Sequence, residues 1–461
     1  MIKNLIASHL RQAYEPLGSC LNIDSICSCF FIKKVIVINF RHLIAGVDTP
    51  VPLSNGAYLP EINFDNGATT PAFHSVLHEV LNFASYYSSV HRGDGHKSTI
   101  SSDFYESARQ EVLHFVNGDP RHDTVIFVKN TTEAINKLAN RTDNSEKNII
   151  LSTMMEHHSN DLPWRKRFRV VYVDIDQHGR LNIADLKQKL IQYQGKVRLV
   201  AVTGASNVTG YVNPIYDIAE LAHRYQTEIF VDAAQLAPHY PIDMQSVGSA
   251  RHIDYLAFSA HKMYAPFGTG VLIGAKKTFM QGEPDHVGGG TVELVSPDRI
   301  LWKHPPYKEE AGTPNLMGVV ALVTAIRVLK YIGFPKLVAH ERSLTQYALT
   351  QLSKLSNVRL YIKPDEHKSH IGVIPFNVKG ISHSQLSRML ADWGIAVRNG
   401  CFCAQPYVHR LLGLSKEHFE YHYRNPHIER PGLVRISFGL YNDHLEIDRM
   451  IQVLREITRQ L

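Results

Sequence analysis

An acidic and a basic residue each follow a short apolar run typical of a buried strand. Ile229-Phe230-Val231 precedes Asp232, and Tyr255-Leu256-Ala257-Phe258 precedes Ser259-Ala260-His261-Lys262. A lysine amine forms a Schiff base with the aldehyde of pyridoxal 5′-phosphate (PLP), and a carboxylate keeps the pyridine nitrogen protonated so that the ring accepts electrons. Lysine suits this role because burial or a nearby cation lowers the pKa of its amine. These two positions therefore predict a PLP site.

Each of the two residues also has an ordinary alternative. Asp232 could cap a helix or a turn, and Lys262 could be a solvated surface residue. Neither alternative accounts for a serine and a histidine placed just before a lysine at the end of a strand. We therefore favour the cofactor interpretation.

Hydroxyl, imidazole and backbone groups near these positions could bind a phosphate. Asn130-Thr131-Thr132-Glu133 follows a predicted strand and opens a predicted helix. The N–H groups of a helix N-terminus, together with two hydroxyls, can cradle an anion. The alternative for this stretch is a plain capping box. Ser259 and His261 add donors beside the lysine, and together they favour a phosphate site.

Three further side chains follow other predicted strands and could contact the cofactor ring. His157 could stack on the pyridine, while Asn207 and Gln235 could hydrogen-bond the ring hydroxyl. The pair His157-His158 could instead be metal ligands or surface residues. Adjacent residues rarely converge on one ion, and we find no third ligand with suitable spacing. We therefore predict no metal.

Strand and helix patterns alternate from Asn63 onward and must position these groups. Further strands are predicted over 125–128, 149–151, 170–173 and 197–202, and helices over 74–83, 103–115, 131–139, 183–192 and 215–224. Ser102 or Asp103 is expected to cap the helix over 103–115. Repeated strand–helix order predicts a mainly parallel sheet covered on both faces. Such sheets bind ligands at the carboxyl ends of their strands, where Asp232 and Lys262 lie.

The pattern changes after Pro314. Long helices are predicted over 316–331 and 335–355, with shorter strands over 358–362, 371–376 and 434–438. The first sixty residues differ again, with a strand-like run over 35–38 and several prolines. At 461 residues the chain exceeds the size of one usual core. We predict an N-terminal extension and linker (1–60), a large domain (61–315) and a small α+β domain (316–461).

Composition indicates an ordinary globular protein, with 44% apolar and 20% charged residues. The net charge of +6 is not concentrated in a polybasic arm, so nucleic acid is not an expected partner. No run approaches the roughly 18 apolar residues that span a bilayer, so no membrane association is expected. An odd, irregularly spaced set of cysteines favours a reducing compartment, and we predict a cytoplasmic protein. The cysteines are Cys20, Cys27, Cys29, Cys401 and Cys403.

From Asn63 to the C-terminus, the ordered motifs resemble the class V, fold-type I PLP enzymes, and within them the second (SufS-like) group of cysteine desulfurases. The resemblance rests on the turn at 130–133 and on Phe64-Asp65-Asn66-Gly67-Ala68-Thr69-Thr70, Val90-His91-Arg92-Gly93, Glu156-His157-His158, Asp232-Ala233-Ala234-Gln235, Ser259-Ala260-His261-Lys262, Glu310-Ala311-Gly312-Thr313-Pro314-Asn315, Arg398-Asn399-Gly400-Cys401-Phe402-Cys403 and Arg435-Ile436-Ser437. It implies an α/β fold whose large domain has a mainly parallel seven-stranded sheet, beside a smaller α+β C-terminal domain. It also implies a homodimer.

The resemblance implies a role for each site residue. The implied cofactor-binding residues are Lys262, Asp232, Gln235, His157, Asn207, Thr131, Thr132, Ser259, His261 and, from the second subunit, Thr313. Arg435 would grip the substrate carboxylate as a bidentate fork, which lysine could not reproduce. Arg398 would lie beside the reacting thiol, and His91 and Arg92 would line the pocket from the partner chain. The implied catalytic residues are Lys262, Cys403 and His157.

Cys403 decides the reaction that the resemblance implies, because it stands where this group has its sulfur-accepting cysteine. The lysine, once released from the cofactor, deprotonates bound L-cysteine. The Cys403 thiolate then attacks the substrate sulfur, keeps it as a persulfide and lets L-alanine depart. Cationic Arg398 would favour the thiolate. The alternative is that Cys403 is a small buried hydrophobe, as free cysteines often are.

Two departures from the group's pattern concern the loops. Cys401-Phe402 stands where similar enzymes often have histidine, which removes possible proton carriers. The two thiols could relay a persulfide or form a strained disulfide, whereas a zinc site is disfavoured because two ligands do not close a tetrahedron. Extra residues over 246–250 are predicted to form a surface loop.

Other activities remain open on the same fold, because fold does not determine function. A class V aminotransferase, an epimerase or a selenocysteine lyase would share the cofactor site. A catalytically inactive binding protein is a further alternative, which the intact Lys262, Asp232 and Arg435 disfavour. For the leading interpretation, the partners are a small amino acid, L-cysteine, and a sulfur-acceptor protein.

Overall fold

A computed structural model of the chain describes residues 40–363 and 370–459. The strand-like run over 35–38 and the three N-terminal cysteines lie outside this part. Among the described residues, no single helix is long and apolar enough to cross a bilayer; only Leu316–Ile332 and Phe334–Leu352, a pair bent by 81°, reach that length and composition together.

The strands are numbered in chain order. They are β1 (Pro50–Pro52), β2 (Tyr58–Pro60), β3 (Ile62–Asn63), β4 (Asp123–Val128), β5 (Ile149–Thr153), β6 (Arg169–Val173), β7 (Val197–Thr203), β8 (Glu228–Asp232), β9 (Tyr255–Ser259), β10 (Gly270–Ala275), β11 (Val292–Val295), β12 (Ile300–Trp302), β13 (Val358–Leu360), β14 (Val373–Val378), β15 (Ile395–Ala396), β16 (Arg398–Gly400) and β17 (Leu433–Ser437).

The α-helices are numbered in the same way. They are α1 (His74–Ala84), α2 (His96–Phe115), α3 (Thr131–Arg141), α4 (Leu162–Arg165), α5 (Ile183–Gln192), α6 (Ile215–Arg224), α7 (Lys276–Met280), α8 (Leu316–Ile332), α9 (Phe334–Leu352), α10 (His383–Asp392), α11 (Gln405–Leu412), α12 (Lys416–Arg424) and α13 (His444–Arg459).

Seven strands form the large sheet, in the order β4-β10-β9-β8-β7-β5-β6. Only β10 runs antiparallel to its neighbours within this sheet, so the sheet is mainly parallel, as predicted. Asp232 pairs with Ala257 across β8 and β9, and the chain then continues from Ser259 to Lys262. The acid and the lysine therefore lie at the same carboxyl edge.

The large sheet is buried on both faces, which explains why its strands read as continuous apolar runs. All residues of β4, β5, β9 and β10 are buried. On one face, Trp164 and Phe168 pack with Phe230 of β8 and with the apolar side of α3. Each such side chain contributes about 1.5–3 kcal/mol on full burial. This packing holds the strand ends in fixed positions.

A second, antiparallel sheet has the order β13-β14-β17-β16. An early segment of the chain joins it: β3 pairs in parallel with β15, and Asp65 bridges to Ser437 at the end of β17. The Ser437 N–H donates to the Phe64 carbonyl at 2.6 Å. This pairing brings Asp65 beside the C-terminal strands, although more than 300 residues separate them in sequence.

Most predicted elements appear where expected, with one clear error. Helix α2 begins at His96, so neither Ser102 nor Asp103 caps it. Gly95 occupies the N-cap without a side-chain bond, and the Ser102 hydroxyl donates to the Ser98 carbonyl inside the helix. The extra residues over 246–250 lie in irregular backbone, as expected.

The domain boundary after residue 315 stays a prediction. The described residues belong to one compact unit, Asn39–Leu461. Helix α8, which follows the expected boundary, packs against α1 and α2 of the preceding part of the chain. The small sheet and helices α10 and α13 form the remaining C-terminal layer.

Candidate active site

Lys262 and Asp232 form the centre of the candidate site. Asp232 is buried at the end of β8 and accepts a hydrogen bond from the Ala234 N–H at 3.0 Å. Burial raises the pKa of this carboxyl, and the positive charge of Lys262 opposes that rise. Desolvation lowers the pKa of the Lys262 amine to about 8, Asp232 raises it, and Arg435 lowers it. A fraction of the amine is therefore unprotonated near neutral pH and can act as a nucleophile or base.

Arg435 points into the same region from β17 and is almost fully buried. Its guanidinium donates to the Asn207 carbonyl at 2.8 Å and to Asp65 Oδ1 at 2.9 Å. Its Nε–H has no hydrogen-bond partner among the described residues. A buried donor left unpaired in the free protein is available to an anionic ligand. Burial lowers the pKa of Arg435, and the Asp65 carboxylate opposes this effect.

His157 follows β5 and is held in one tautomer. Its Nδ1 accepts a hydrogen bond from the Ser159 N–H at 3.1 Å, so the proton of the neutral ring lies on Nε2. Burial, together with the charges of Lys262, His158 and Arg435, lowers the pKa of His157 to about 3. The ring is therefore neutral at physiological pH and can stack on another ring without carrying charge.

The predicted phosphate residues meet at the start of α3. The Thr131 N–H donates to Ser259 Oγ at 2.8 Å, and the two hydroxyls lie 2.7 Å apart. Thr132 Oγ1 lies 2.7 Å from Ser159 Oγ at the exposed side. The capping alternative also holds, because the Asn130 side chain accepts from the Glu133 N–H. The helix thus presents its N-terminus and hydroxyls beside β9, which is what an anion requires.

His261 lies between this cradle and the lysine. Its Nδ1 lies 3.2 Å from Thr69 Oγ1, and its carbonyl accepts from the Thr70 N–H at 2.9 Å. Burial and the charge of Lys262 lower the pKa of His261 to about 4. His261 is therefore a neutral hydrogen-bonding group in the free protein.

Cys403 occupies a tight turn after β16. The Ala404 N–H donates to the Cys401 carbonyl at 2.8 Å, and the two central residues, Phe402 and Cys403, have φ of 51° and 54°. Two left-handed residues at the centre of a turn describe a type I′ geometry, which ordinarily takes asparagine and glycine. Such conformations cost non-glycine residues energy and persist only where surrounding contacts impose them. The thiol is exposed and therefore accessible.

Two tethers hold this turn against the large sheet. The Asn207 side-chain amide donates to the Phe402 carbonyl at 2.6 Å, and the His158 N–H donates to the Cys403 carbonyl at 2.6 Å. His158 Nε2 also accepts from the Gln405 N–H at 3.2 Å. The Phe402 ring lies 5.1 Å from the Arg435 guanidinium carbon, a cation–π contact. These contacts supply the constraint that the strained turn needs.

The expected position of Arg398 beside the thiol stays a prediction. Arg398 turns to Asp65, 3.6 Å away, and its side chain is about half exposed. The charge of the Cys403 thiolate raises the pKa of Lys262 and of Arg435. Cys401 and Cys403 are both free. Burial raises the pKa of the Cys401 thiol, which donates to the Pro431 carbonyl at 3.3 Å.

Two residues predicted to contact the ring are engaged within the protein. The Gln235 amide donates to the Gly67 carbonyl at 2.7 Å, and Asn207 binds Phe402 as described. Their roles towards a cofactor stay predictions.

The residues expected to serve a second subunit are exposed. Thr313 is exposed, and His91 pairs with Glu106 at 2.7 Å. Arg92, also exposed, follows directly. Their roles towards a second subunit stay predictions.

Sequence reasoning did not assign Asp65, His158 or Glu156. Asp65 pairs with Arg435 through the β3–β15 connection, and His158 tethers the Cys403 turn. Buried Glu156 binds Thr153, Asn160 and the Thr203 N–H, and burial raises the pKa of its carboxyl to about 8. All three fall within or beside quoted motifs. The partners of Asp65 and His158, and the Thr203 partner of Glu156, lie far away in sequence, so local patterns carry no signal for these contacts.

The arrangement combines a nucleophilic amine, a buried carboxylate, a neutral aromatic ring and an anion cradle at one edge of the sheet. A buried guanidinium and an exposed thiol complete it from the C-terminal side. Amino-acid chemistry on an aldehyde cofactor needs these group types together.

Comparisons with known proteins agree with this arrangement. Residues 62–450 match the family model described as aminotransferase class-V. The chain is 34% identical over 407 residues to a probable cysteine desulfurase of Halalkalibacterium halodurans, covering 86% of this chain and 93% of that protein. It is similar to the apo structure of a cysteine desulfurase from Thermococcus onnurineus NA1, with a TM-score of 0.77, 31% identity and coverage of 87% and 95%. The corresponding values for the Escherichia coli cysteine desulfurase CsdA (S-sulfonic acid) are 0.74, 29%, 87% and 95%.

Proposed function

The chain belongs to the class-V aminotransferase family, and we propose that it is a PLP-dependent cysteine desulfurase that converts L-cysteine to L-alanine and keeps the sulfur on Cys403. One observation carries the proposal: the charges of Asp232, Arg435 and Cys403 all shift the pKa of the lysine amine, and Asn207 hydrogen-bonds both Arg435 and the turn that carries Cys403. An aminotransferase needs the lysine, Asp232 and Arg435 but has no use for a tethered, exposed thiol beside them.

The described residues fit PLP. Lys262 has the lowered pKa that a covalent amine requires, Asp232 is a buried carboxylate at the neighbouring strand end, and His157 is a neutral flat ring. The N-terminus of α3, with the hydroxyls of Thr131 and Ser259, suits a phosphate. When bound, PLP withdraws electrons from the α and β carbons of an amino acid.

Arg435 would bind the substrate carboxylate. Asp65 and the Asn207 carbonyl fix the guanidinium through its terminal nitrogens, while its Nε–H remains unpaired. Because the planar guanidinium is held from two sides, a carboxylate would be bound in one orientation. Arg435 would thereby place the substrate sulfur on the side of the Cys403 turn.

Lys262 would move the protons. With a pKa of about 8, its amine exists in both protonation states near neutral pH, so it can take a proton from the substrate α carbon and return one. His157 stays neutral under these conditions and would not compete for that proton.

Cys403 would take the sulfur. Its thiolate attacks the sulfur atom of the bound cysteine, and a sulfur–sulfur bond forms as the substrate carbon–sulfur bond breaks. The electron pair of the broken bond returns to the substrate β carbon. This carbon is then protonated, and the product leaves as alanine. The enzyme keeps the sulfur as a persulfide. Lys262 and Arg435 are the two cations whose pKa values respond to the charge of this thiol.

A second subunit would complete the pocket. Thr313, His91 and Arg92 are exposed. We propose that they serve the site of a partner copy, Thr313 at the phosphate and the other two at the substrate. The exposure of Cys403 suits onward transfer of the sulfur to a further acceptor protein.

The test is product analysis with L-cysteine and matched thiol variants. Purified protein should release alanine and sulfide in the presence of a reductant, and Cys403→Ser should abolish both while keeping the visible absorbance of the lysine-bound cofactor. The control is Cys401→Ser, which keeps a hydrogen-bond donor for the Pro431 carbonyl and should retain activity.

Two outcomes would contradict the proposal. Sulfide release by Cys403→Ser at the wild-type rate would remove this thiol from the mechanism. Transfer of the amino group to a keto acid, with Cys403→Ser fully active, would assign the chain to the aminotransferases of the same family.

A further inference from the structure

Three potential metal ligands meet at a place that the proposed reaction does not use. His122 and Asp123 lie at the start of β4, and His252 lies shortly before β9. One ligand atom from each of the three residues lies within 4.8 Å of the other two. Asp123 and His252 are buried, and His122 is partly exposed.

The Nε2 atom of His252 is buried and receives no hydrogen bond from the described residues. Its Nδ1 lies 2.9 Å from the Met244 carbonyl and 3.0 Å from the Gln245 carbonyl. Carbonyl oxygens only accept, so Nδ1 carries the proton and Nε2 carries the lone pair. Nε2 is buried and has no hydrogen-bond partner among the described residues. Buried polar atoms are nearly always satisfied, so this unpaired imidazole nitrogen, close to a histidine and a carboxylate, is available as a ligand for a cation.

The other two ligands are placed by the adjoining turn. His122 Nδ1 lies 2.7 Å from Asp123 Oδ1, and the second oxygen of Asp123 accepts from the Asp119 N–H at 2.9 Å. The rings of His122 and His252 face each other edge to face, with centroids 5.8 Å apart. The partly exposed His122 gives an ion a route from solvent, while Asp123 supplies a buried negative charge to balance it.

We propose that His122, Asp123 and His252 bind a divalent transition-metal ion of the zinc class. Two imidazoles, one carboxylate and a water form a four-coordinate set that Zn²⁺ accepts. In such a site the ligand atoms lie about 3.3–3.6 Å apart, given metal–ligand bonds of ~2.0–2.2 Å. His252 already has the outer contact typical of a metal-bound histidine, a ring N–H donated to a backbone carbonyl.

The ion stabilises the fold and takes no part in catalysis. Asp123 is the first residue of β4, whereas the anion cradle at Thr131 follows its last residue, so the two sites lie at opposite edges of the sheet. The ion joins the turn before β4 to the loop over 246–250, which is tied at its base by the hydrogen bond from the Ile253 N–H to the Met244 carbonyl. This loop contains the extra residues noted in the sequence.

Metal content tests the proposal directly. The PLP-loaded protein, prepared without a histidine tag, is dialysed against buffer with micromolar Zn²⁺ and then against metal-free buffer, and bound zinc is measured by mass spectrometry. Wild type should retain about one zinc per chain, and His252→Gln and Asp123→Asn should each weaken binding by at least about 100-fold. The matched control is His286→Gln, which removes an exposed histidine beside Asp285 and should leave the zinc content unchanged.

Two further measurements separate this site from others. Zinc retention by the Cys401→Ser/Cys403→Ser protein should match wild type, because the thiols are not ligands here. Thermal unfolding of wild type should shift to higher temperature with Zn²⁺, while His252→Gln should show no shift and should still convert L-cysteine to alanine. Zinc-free wild type after this dialysis, or equal retention by His252→Gln, would overturn the proposal.

Discussion

The two halves of the candidate site are built in different ways. Asp232 and Lys262 lie at the ends of neighbouring buried strands, so the core of the large sheet fixes their positions. Cys403 is the exposed residue of a turn with two left-handed residues, and hydrogen bonds from Asn207 and His158 fix this turn. Regular packing thus positions the proposed cofactor half, which contains Asp232 and Lys262. A few specific contacts on a strained backbone position the proposed sulfur half, which contains Cys403.

This difference predicts that substitutions in the two halves have separable effects on activity. A change at the strand ends should damage the cofactor and with it every reaction, whereas a change at the turn should spare the cofactor and impair only sulfur transfer. The following four experiments test that separation, beginning with the largest expected effect.

Replacing Asp232 by asparagine should lower the rate of alanine formation by about 100- to 1000-fold, because the buried charge opposite the cofactor is lost. It should also lower the pKa of Lys262 further, since the Asp232 carboxylate raises that pKa. Steady-state alanine formation and a pH titration of the cofactor absorbance measure the two effects. The control is Asp254→Asn at the amino-terminal edge of β9, a carboxylate that pairs with His223 and should be dispensable for turnover.

The pH dependence of cofactor capture should follow the Lys262 amine. With a pKa of about 8, the neutral fraction falls from about one half at pH 8 to about 1% at pH 6, so capture of PLP by cofactor-free protein should slow by about 50-fold. Stopped-flow absorbance at several pH values gives this rate. A capture rate that still rises steeply above pH 9 would mean that burial does not lower the pKa of this amine.

Replacing His158 by alanine should slow sulfur transfer by about tenfold, the equivalent of one lost hydrogen bond of roughly 1–1.5 kcal/mol, and leave the cofactor absorbance intact. The imidazole accepts from the Gln405 N–H directly after the turn. The alanine burst in a single turnover measures the effect. His409→Ala, which removes a ring 3.5 Å from the Gln405 side chain, should behave as wild type. Loss of the cofactor from His158→Ala would contradict the separation of the two halves.

Replacing Phe402 by asparagine should have the smallest effect on turnover, while removal of this buried ring lowers the stability of the fold. Asparagine tolerates the left-handed backbone, so the turn should persist while the ring beside Arg435 is lost. A cation–π contact of about 0.5–1 kcal/mol corresponds to a two- to fivefold rise in KM for L-cysteine, with kcat nearly unchanged. Steady-state kinetics separates these parameters, and a large fall in kcat would show that the ring also positions the thiol.

Most strands of the large sheet can be predicted from the sequence because the patterns that indicate them are local. Apolar runs such as 229–231 and 255–258 predict buried strands, and α5 and α6 were predicted with the bounds that the structure has. Helix α2 begins earlier than predicted because its first turn is polar and Gly95 caps it without a side chain. Strand β10 and helix α12 were not predicted. The first is a short run bounded by glycines, and the second buries none of its residues.

The candidate site shows the same limit. Lys262, Asp232 and Arg435 stand in motifs, and the structure brings them together. The partner of Arg435 is Asp65, which reaches it only through the parallel pairing of β3 with β15. The strained turn at Cys403 could not be foreseen either, because phenylalanine and cysteine ordinarily avoid positive φ. Its geometry is imposed by distant contacts.

Asn207 couples the two halves in a way that neither half reveals alone. Its carbonyl accepts from Arg435 and its amide donates to the turn that carries Cys403. We therefore expect occupancy of the guanidinium to influence alignment of the thiol, and any such coupling acts equally in both directions. We expect the Cys403 thiol to be most reactive once an amino acid is bound. This would limit oxidation of the thiol between turnovers.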